Sequence, residues 1–407
     1  MNAPPAGTTG RLPRLAAPTV VYGGNRIRLL VNGEQYFPEL LAAIDSARRV
    51  IEIETYIFAD DNIGHRVADA LATAGSRGVA VRLLIDGFGG GEYARRLQDE
   101  LGMHGVQVRV YRAERWWRLE RKLLRRLHRK FAVFDERLAY VGGINIIDDY
   151  NVPAHVRGRL GARFDFVVAC EGPIVGAIAV AMRQLWRRLA FVDLRRRNGQ
   201  LPPMALPRPP AIAGGVAASL LLRDNLRNRR AIERAYLQAF EGAREQVVIA
   251  NAYFLPGRRF RAALLAVAAR GVRVRLLLQG HPEYALQFHA QRALYGQLLA
   301  GGIEIHEYVA SYLHAKVAVV DGRWATVGSS NIDPYSLLLA REANVVVHDP
   351  GFARQLGATL DEAIAESSRR VALADYASRS WFDRARDWCA YFVVRLATVV
   401  LARGRDY

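Results

Sequence analysis

The stretch "HRKFAVFDERLAYVGGINIIDDY" (residues 128–150) is written a second time as "HAKVAVVDGRWATVGSSNIDPYS" (residues 314–336). In both, a lysine follows the histidine at the second place (Lys130, Lys316). An aspartate stands at the seventh place (Asp135, Asp321) and an asparagine at the seventeenth (Asn145, Asn331). Side chains alternate faces along a strand, so each histidine points the same way as its lysine. Asp321-Gly322 is a hairpin-turn signal, and Asp135-Glu136 occupies the same place. The strand that follows brings the asparagine back beside the histidine. Each copy therefore predicts one hairpin with a polar cluster of imidazole, ammonium and carboxamide. A small-residue corner completes it, Gly142-Gly143 or Gly328-Ser329.

The repetition extends outward from these hairpins. "RGVAVRLLIDG" (Arg77–Gly87) returns as "RGVRVRLLLQG" (Arg270–Gly280), and "VIEIETYIF" (Val50–Phe58) as "VVIANAYFL" (Val247–Leu255). Helical patterns precede and separate these strands in both copies. The order predicts an α/β fold of two pseudo-symmetric domains, each a mostly parallel sheet flanked by helices, with the active site at their interface. The expected divisions are a disordered tail (1–21), domain 1 (22–194), a Pro-rich linker (195–217), domain 2 (218–372) and a C-terminal amphipathic helix (373–407).

The cluster suits a phosphoryl group. Lysine supplies charge, Asn145, Ser329 and Asn331 supply hydrogen bonds, and the small corner lets phosphate approach. Imidazole serves as nucleophile or general acid. Phosphoryl transfer needs one histidine to attack phosphorus and another to protonate the leaving alcohol. The chain thus writes the cluster twice because neither half alone is an active site. One His-x-Lys on a strand is commonly surface decoration; two copies with identical offsets to Lys, Asp and Asn are not.

Composition narrows the partners. The chain has 407 residues, 51% of them hydrophobic, and a formal net charge of +18. Such a chain is globular and long enough for two cores, and its charge implies an anionic partner. Only Cys170 and Cys389 are present, which gives no zinc or disulfide framework and fits a reducing compartment. No continuous apolar segment suggests a secretory signal or a spanning helix. The copies differ by 11 extra residues ahead of the first histidine, within "RAERWWRLERKLLRRL" (Arg112–Leu127). Tryptophan among arginines suits an anionic bilayer surface, which predicts a membrane contact through Arg115, Trp116, Trp117 and Arg118. The competing reading is a solvated basic helix packed through its leucines. The C-terminal stretch around Trp388, Tyr391 and Phe392 reads either as a core helix or as a second membrane contact.

The paired His-x-Lys-x4-Asp-x6-Gly-(Ser)-x-Asn patterns resemble the signature of the phospholipase D superfamily, over about residues 22–370. "GSSNIDPYSLLLAREANVVVHD" (from Gly328) and "GNRIRLLVNGEQYFPELLAAIDSARRVIEIETYIFADD" (from Gly24) more narrowly resemble bacterial cardiolipin synthases, particularly their shorter B type. Gly143 departs from the pattern, where serine is usual. The resemblance implies a catalytic set of His128, Lys130, Asp135, His314, Lys316 and Asp321, needing no metal and no cofactor. Within it the turn aspartates read as holding the hairpins. It implies a phosphatidyl-histidine intermediate, with His128 attacking and His314 as acid and base. It also implies a carboxylate behind each catalytic histidine, Glu342 downstream of His314 and Asp165 downstream of His128. The implied reaction joins two phosphatidylglycerols into cardiolipin and glycerol, at the cytoplasmic face of a bacterial inner membrane. The alternative is a phosphodiesterase or nuclease. Nucleic acid is the less favoured partner, because the insert concentrates tryptophan and leucine instead of spreading base-stacking aromatics along a basic face.

Overall fold

Both repeated stretches form tight β-hairpins. In the computed structural model the first is β5 (Phe131–Phe134) and β6 (Leu138–Gly142), and the second is β12 (Lys316–Val320) and β13 (Trp324–Gly328). Their turns carry positive φ at Asp135 (48°), Glu136 (61°), Asp321 (50°) and Gly322 (58°), the backbone that a two-residue hairpin turn demands. The structure describes residues 19–402 apart from 113–125, 153–157, 159, 195–206, 225–227, 335 and 337–339. Side chains at 191–194 and 399–402 are not described. The predicted membrane contact Arg115, Trp116, Trp117 and Arg118 lies outside the described residues, as does most of the linker.

The first half runs β1 (Tyr22–Val31), α1 (Asn32–Ser46), β2 (Val50–Thr55), α2 (Asn62–Ser76), β3 (Ala80–Asp86), α3 (Tyr93–Gly102), β4 (Gln107–Tyr111), the β5–β6 hairpin, β7 (Phe166–Glu171) and α4 (Pro173–Leu194). The second half repeats it. β8 (Val216–Arg223), α5 (Ala231–Gly242), β9 (Gln246–Asn251), α6 (Arg258–Ala269) and β10 (Arg273–Gln279) lead to α7 (Ala285–Arg292) and α8 (Tyr295–Ala300). Then come β11 (Glu304–Tyr308), the β12–β13 hairpin, β14 (Glu342–His348), α9 (Pro350–Ser367) and β15 (Ser368–Val371). Two further helices close the described chain, α10 (Leu373–Ala377) and α11 (Trp381–Ala402). Local chemistry sets the ends. Asp61 accepts from Gly64 N to cap α2, and Asp349 accepts from Phe352 N to cap α9, with Pro350 in the first turn.

The halves are not separate sheets. Among the described residues the strands form one sheet in the order β15-β11-β10-β9-β12-β13-β14-β8-β1-β7-β6-β5-β2-β3-β4, and antiparallel β1·β8 pairing fuses the halves at its centre. Parallel pairing is confined to β2–β3–β4 and β9–β10–β11. Every other ladder is antiparallel, so the expectation of mostly parallel sheets is corrected. The reason is local: each histidine hairpin returns on itself, and β7 and β14 pair antiparallel to both neighbours. On one face, α4 and α9 share a single core drawn from both halves, including Ile174, Ile178, Val317, Val345, Leu356 and Leu360. On the other face each half has its own core, around Leu40, Leu71 and Leu83 in the first and Phe240, Leu264 and Leu276 in the second.

Candidate active site

The histidines precede their hairpins, and each leading segment is anchored in the opposite half. His128 N donates to Arg341 O at 3.0 Å, beside an isolated bridge between Leu127 and Arg341. His314 N donates to Phe164 O at 2.8 Å, beside a bridge between Phe164 and Leu313. The residues after Arg341 and Phe164 are Glu342 and Asp165. The carboxylates therefore cross over. His128 Nδ1 lies 3.0 and 3.1 Å from the two oxygens of Glu342, and His314 Nδ1 lies 2.6 Å from Asp165 Oδ2. This corrects the pairing read from sequence, which assigned each carboxylate to the histidine of its own half. An Nδ1–H bound to a carboxylate leaves Nε2 as the reacting nitrogen.

Lys130 and Lys316 are buried beneath the histidines, each donating from Nζ to the carbonyl of its own histidine, His128 O at 2.8 Å and His314 O. Lys316 Nζ is also 3.8 Å from Asp165. Burial pushes Lys130 down to about 7 and Lys316 down to about 8, opposed chiefly by Glu342 for Lys130 and Asp165 for Lys316. Burial, opposed by Glu342, also lowers His128. His314 falls well below its ordinary value through burial and then through Lys316, Arg163 and Lys130. Burial lifts Asp165 to about 6 against the pull of Lys316. Both imidazoles are thus held neutral inside a cluster of cations. An arriving phosphodiester offsets that positive field and lets one imidazole carry a proton.

One expected role changes. Ser329, expected to bind phosphate, is buried and donates from Oγ to Glu342 Oε2 at 2.6 Å, while Ala343 N donates to Ser329 Oγ at 3.1 Å. It buttresses the carboxylate behind His128. At the matching place, a Cβ on Gly143 would come within 2.4 Å of both Asp165 carboxylate oxygens. The shorter carboxylate occupies the space a side chain would need, which accounts for the missing serine. Asp135 and Asp321, placed in the catalytic set by the resemblance but read at their turns as holding the hairpins, sit at the far ends of their hairpins from the histidines. Asp135 accepts from the backbone N of Arg48, Arg49 and Val50, and Asp321 from Arg244, Glu245 and Gln246. They clamp the hairpin tip to the turn that enters β2 or β9 and touch no reacting atom.

His128, Asp165, His314, Asn145 and Asn331 line one cavity of about 620 Å³ at the junction of the halves. Asn145 Oδ1 accepts from Ile57 N, which leaves Nδ2 to donate inward. The walls hold residues that the repeat did not point to. Arg163 of the first half pairs with Glu283 of the second at 2.8 Å, and Tyr253 OH donates to Glu283 at 2.9 Å. Tyr56 packs edge-on against His128 with centroids 4.9 Å apart. Phe88, Ile57, Ile144, Ile147, Leu286 and Val394 make the remaining lining predominantly apolar. Tyr56 and Tyr253 share a place in the quoted repeat, although the bridges Phe58–Ile146 and Phe254–Ile332 set Tyr253 level with Ile57. Arg163, Glu283, Phe88 and Leu286 stand where the copies diverge, so no repeated spacing marks them.

A family model described as cardiolipin synthase, PLD-like domain, matches residues 40–152 and 236–364. Cardiolipin synthase B of Escherichia coli K12 is 37% identical over 383 residues, covering 91% of this chain and 88% of that protein. Cardiolipin synthase A of Pseudomonas syringae is 29% identical over 351 residues, covering 86% of this chain and 69% of that protein. Among solved structures, phosphatidylserine synthase of Haemophilus influenzae superposes with a TM-score of 0.66 at 14% identity, over 92% of this chain and 94% of that one. With its doubled hairpins, crossed carboxylates and these relatives, the chain belongs to the PLD-like cardiolipin synthase family.

Proposed function

We propose that the protein is a phosphatidyltransferase that converts two phosphatidylglycerol molecules into cardiolipin and glycerol. The observation that carries this is the pair of histidines from opposite halves, each backed by a carboxylate of the other half, in one predominantly apolar cavity. One imidazole Nε2 attacks the phosphorus of the donor lipid. The P–O bond to its glycerol headgroup breaks, and the second imidazole gives that oxygen a proton. The same second imidazole then removes a proton from a primary hydroxyl of the acceptor. The alkoxide attacks phosphorus, the P–N bond breaks, and both histidines return to their starting states. Asn145 and Asn331 hold the phosphoryl oxygens, and Lys130 and Lys316 supply positive charge from beneath the histidines; Asp165 and Glu342 fix the tautomers. Ser329 supports Glu342, and Asp135 and Asp321 support the hairpins.

The resemblance assigns attack to His128. Burial and neighbouring cations lower both imidazoles, so the electrostatics leave either able to attack. Rapid quench with labelled phosphatidylglycerol, followed by peptide mapping, identifies which histidine carries the phosphatidyl group. Label on neither histidine would overturn the two-step route.

The enzyme works at the surface of a bacterial membrane, peripherally and on the cytoplasmic face of the inner membrane. No helix among the described residues is long and apolar enough to cross a bilayer, and the +18 charge suits anionic lipid. The segment with Arg115, Trp116, Trp117 and Arg118 supplies one contact. Replacing Arg115, Arg118, Arg121 and Arg125 with glutamine should weaken vesicle binding most at low salt, where screening is least. Unchanged binding would remove the segment from the membrane contact.

A further inference from the structure

α11 has two unlike faces. Asp387, Ala390, Val394 and Thr398 are buried. That face is fixed against α7 by Asp387, which accepts from His289 Nδ1 at 2.9 Å and from Arg379 at 2.6 Å. Val394 on this face also walls the cavity that holds both histidines. The outward face is apolar. Trp381, Trp388, Phe392 and Leu396 form one stripe along the helix, 74%, 45%, 63% and 65% exposed. Exposed Arg384 and Arg386 flank it. A stripe of this extent on a soluble surface marks an interaction site.

The helix that carries the stripe also reaches the cavity, through Val394 on its other face and through its packing on α7. Phe88, Tyr284 and Leu286 line the cavity and are also about half exposed. Leu286 stands on α7, the helix on which α11 packs. We propose that this stripe is a bilayer-docking surface, seating its tryptophans and phenylalanine at headgroup depth so that the rim opens onto lipid. The proposal rests on the lipid-transfer reading above. A cavity of about 620 Å³ holds a drug-sized molecule, far less than two diacyl lipids. The acyl chains must stay outside it, and an apolar helix face beside a half-exposed apolar rim (Phe88, Tyr284, Leu286) is where a membrane would keep them. The flanking arginines and the net charge select an anionic surface.

The test uses the full chain. Cys389 is exposed beside Trp388 and Cys170 is buried, so a thiol-reactive, environment-sensitive dye marks Cys389. On phosphatidylglycerol–phosphatidylcholine vesicles the dye should shift to the blue and be quenched by nitroxide-bearing lipid. The variant W388S/F392S/L396S should lose at least about tenfold in vesicle partition, since three large apolar side chains are withdrawn from the interface. That variant should keep the parent's turnover on phosphatidylglycerol dispersed in detergent micelles. A silent dye on vesicles that do bind the protein would overturn the proposal, as would unchanged partition of the variant. So would a dye shift that rises with protein concentration without vesicles and appears together with a dimer in light scattering, which would make a second copy the occupant. Should the variant fail to fold, the dye on the native chain decides. If neither protein turns over micellar lipid while dye and partition respond as expected, docking stands and the lipid-transfer reading fails.

Discussion

At the residue scale the site is a balance of buried charge. His128→Ala and His314→Ala should each lower turnover at least ~10³-fold, with the double variant little worse, because attack and leaving-group protonation act as one unit. Substantial activity in either single variant contradicts that scheme. The crossed carboxylates make a sharper prediction. Glu342 raises the affinity of His128 for its proton, so Glu342→Gln should move the titration of His128 to lower pH in imidazole NMR. His314, whose partner is Asp165, should shift far less. The opposite pattern would restore pairing within each half. Lys130 carries its charge at a cost, since its value falls from 10.5 unfolded to about 7 folded. The unfolded chain binds more protons between those values, so native stability rises with pH across that window. Lys130→Met should therefore raise Tm at pH 6 to 7, the gain shrinking toward pH 10, while abolishing activity. A lower Tm at pH 6 would mean the ammonium is net stabilising.

At the element scale the hairpin and its clamp act together. Asp135 and Asp321 each receive three backbone N–H groups. Burial opposes the charge on Asp135, but those donors and Arg49 hold its carboxyl below the ordinary value. Its stabilisation is thus present near neutral pH and is lost as pH falls through that lowered value. Asp321→Ala should cost about 1–3 kcal/mol, read as a fall in Tm, while the fraction still folded turns over at near the parent's rate. A collapse of turnover without loss of stability would return the aspartate to the chemistry.

The same scale shows what was legible in the sequence. Identical offsets to Lys, Asp and Asn exposed both hairpins, because a strand's period of two and a turn's need for positive φ are local constraints. The helix–strand alternation was legible for the same reason. Which histidine faces which carboxylate was not, since it depends on Leu127 lying beside Arg341 and Leu313 beside Phe164. Those contacts join residues more than a hundred positions apart. The role of Ser329 was hidden likewise, because its partner Glu342 is set by β13·β14 register. The antiparallel share of the sheet escaped because apolar strands buried on both faces read alike in either direction.

For the whole molecule, fusion of the halves through β1·β8 and a core shared by α4 and α9 ties activity to one cooperative structure. Denaturant unfolding should give one transition, coincident by tryptophan fluorescence and far-ultraviolet circular dichroism. Two separated transitions would mean the halves are independent domains with a loose active-site seam. Fusion also explains how a cavity built from both halves keeps its histidines and carboxylates in register.

The central claim is phosphatidyl transfer by this paired site. The most direct measurement incubates the purified protein with phosphatidylglycerol in detergent micelles, with EDTA present, and identifies products by mass spectrometry. The account predicts cardiolipin and glycerol in equal amounts, absent with His128→Ala or His314→Ala. Phosphatidic acid without cardiolipin, or cleavage of single-stranded DNA with the lipid untouched, would contradict it.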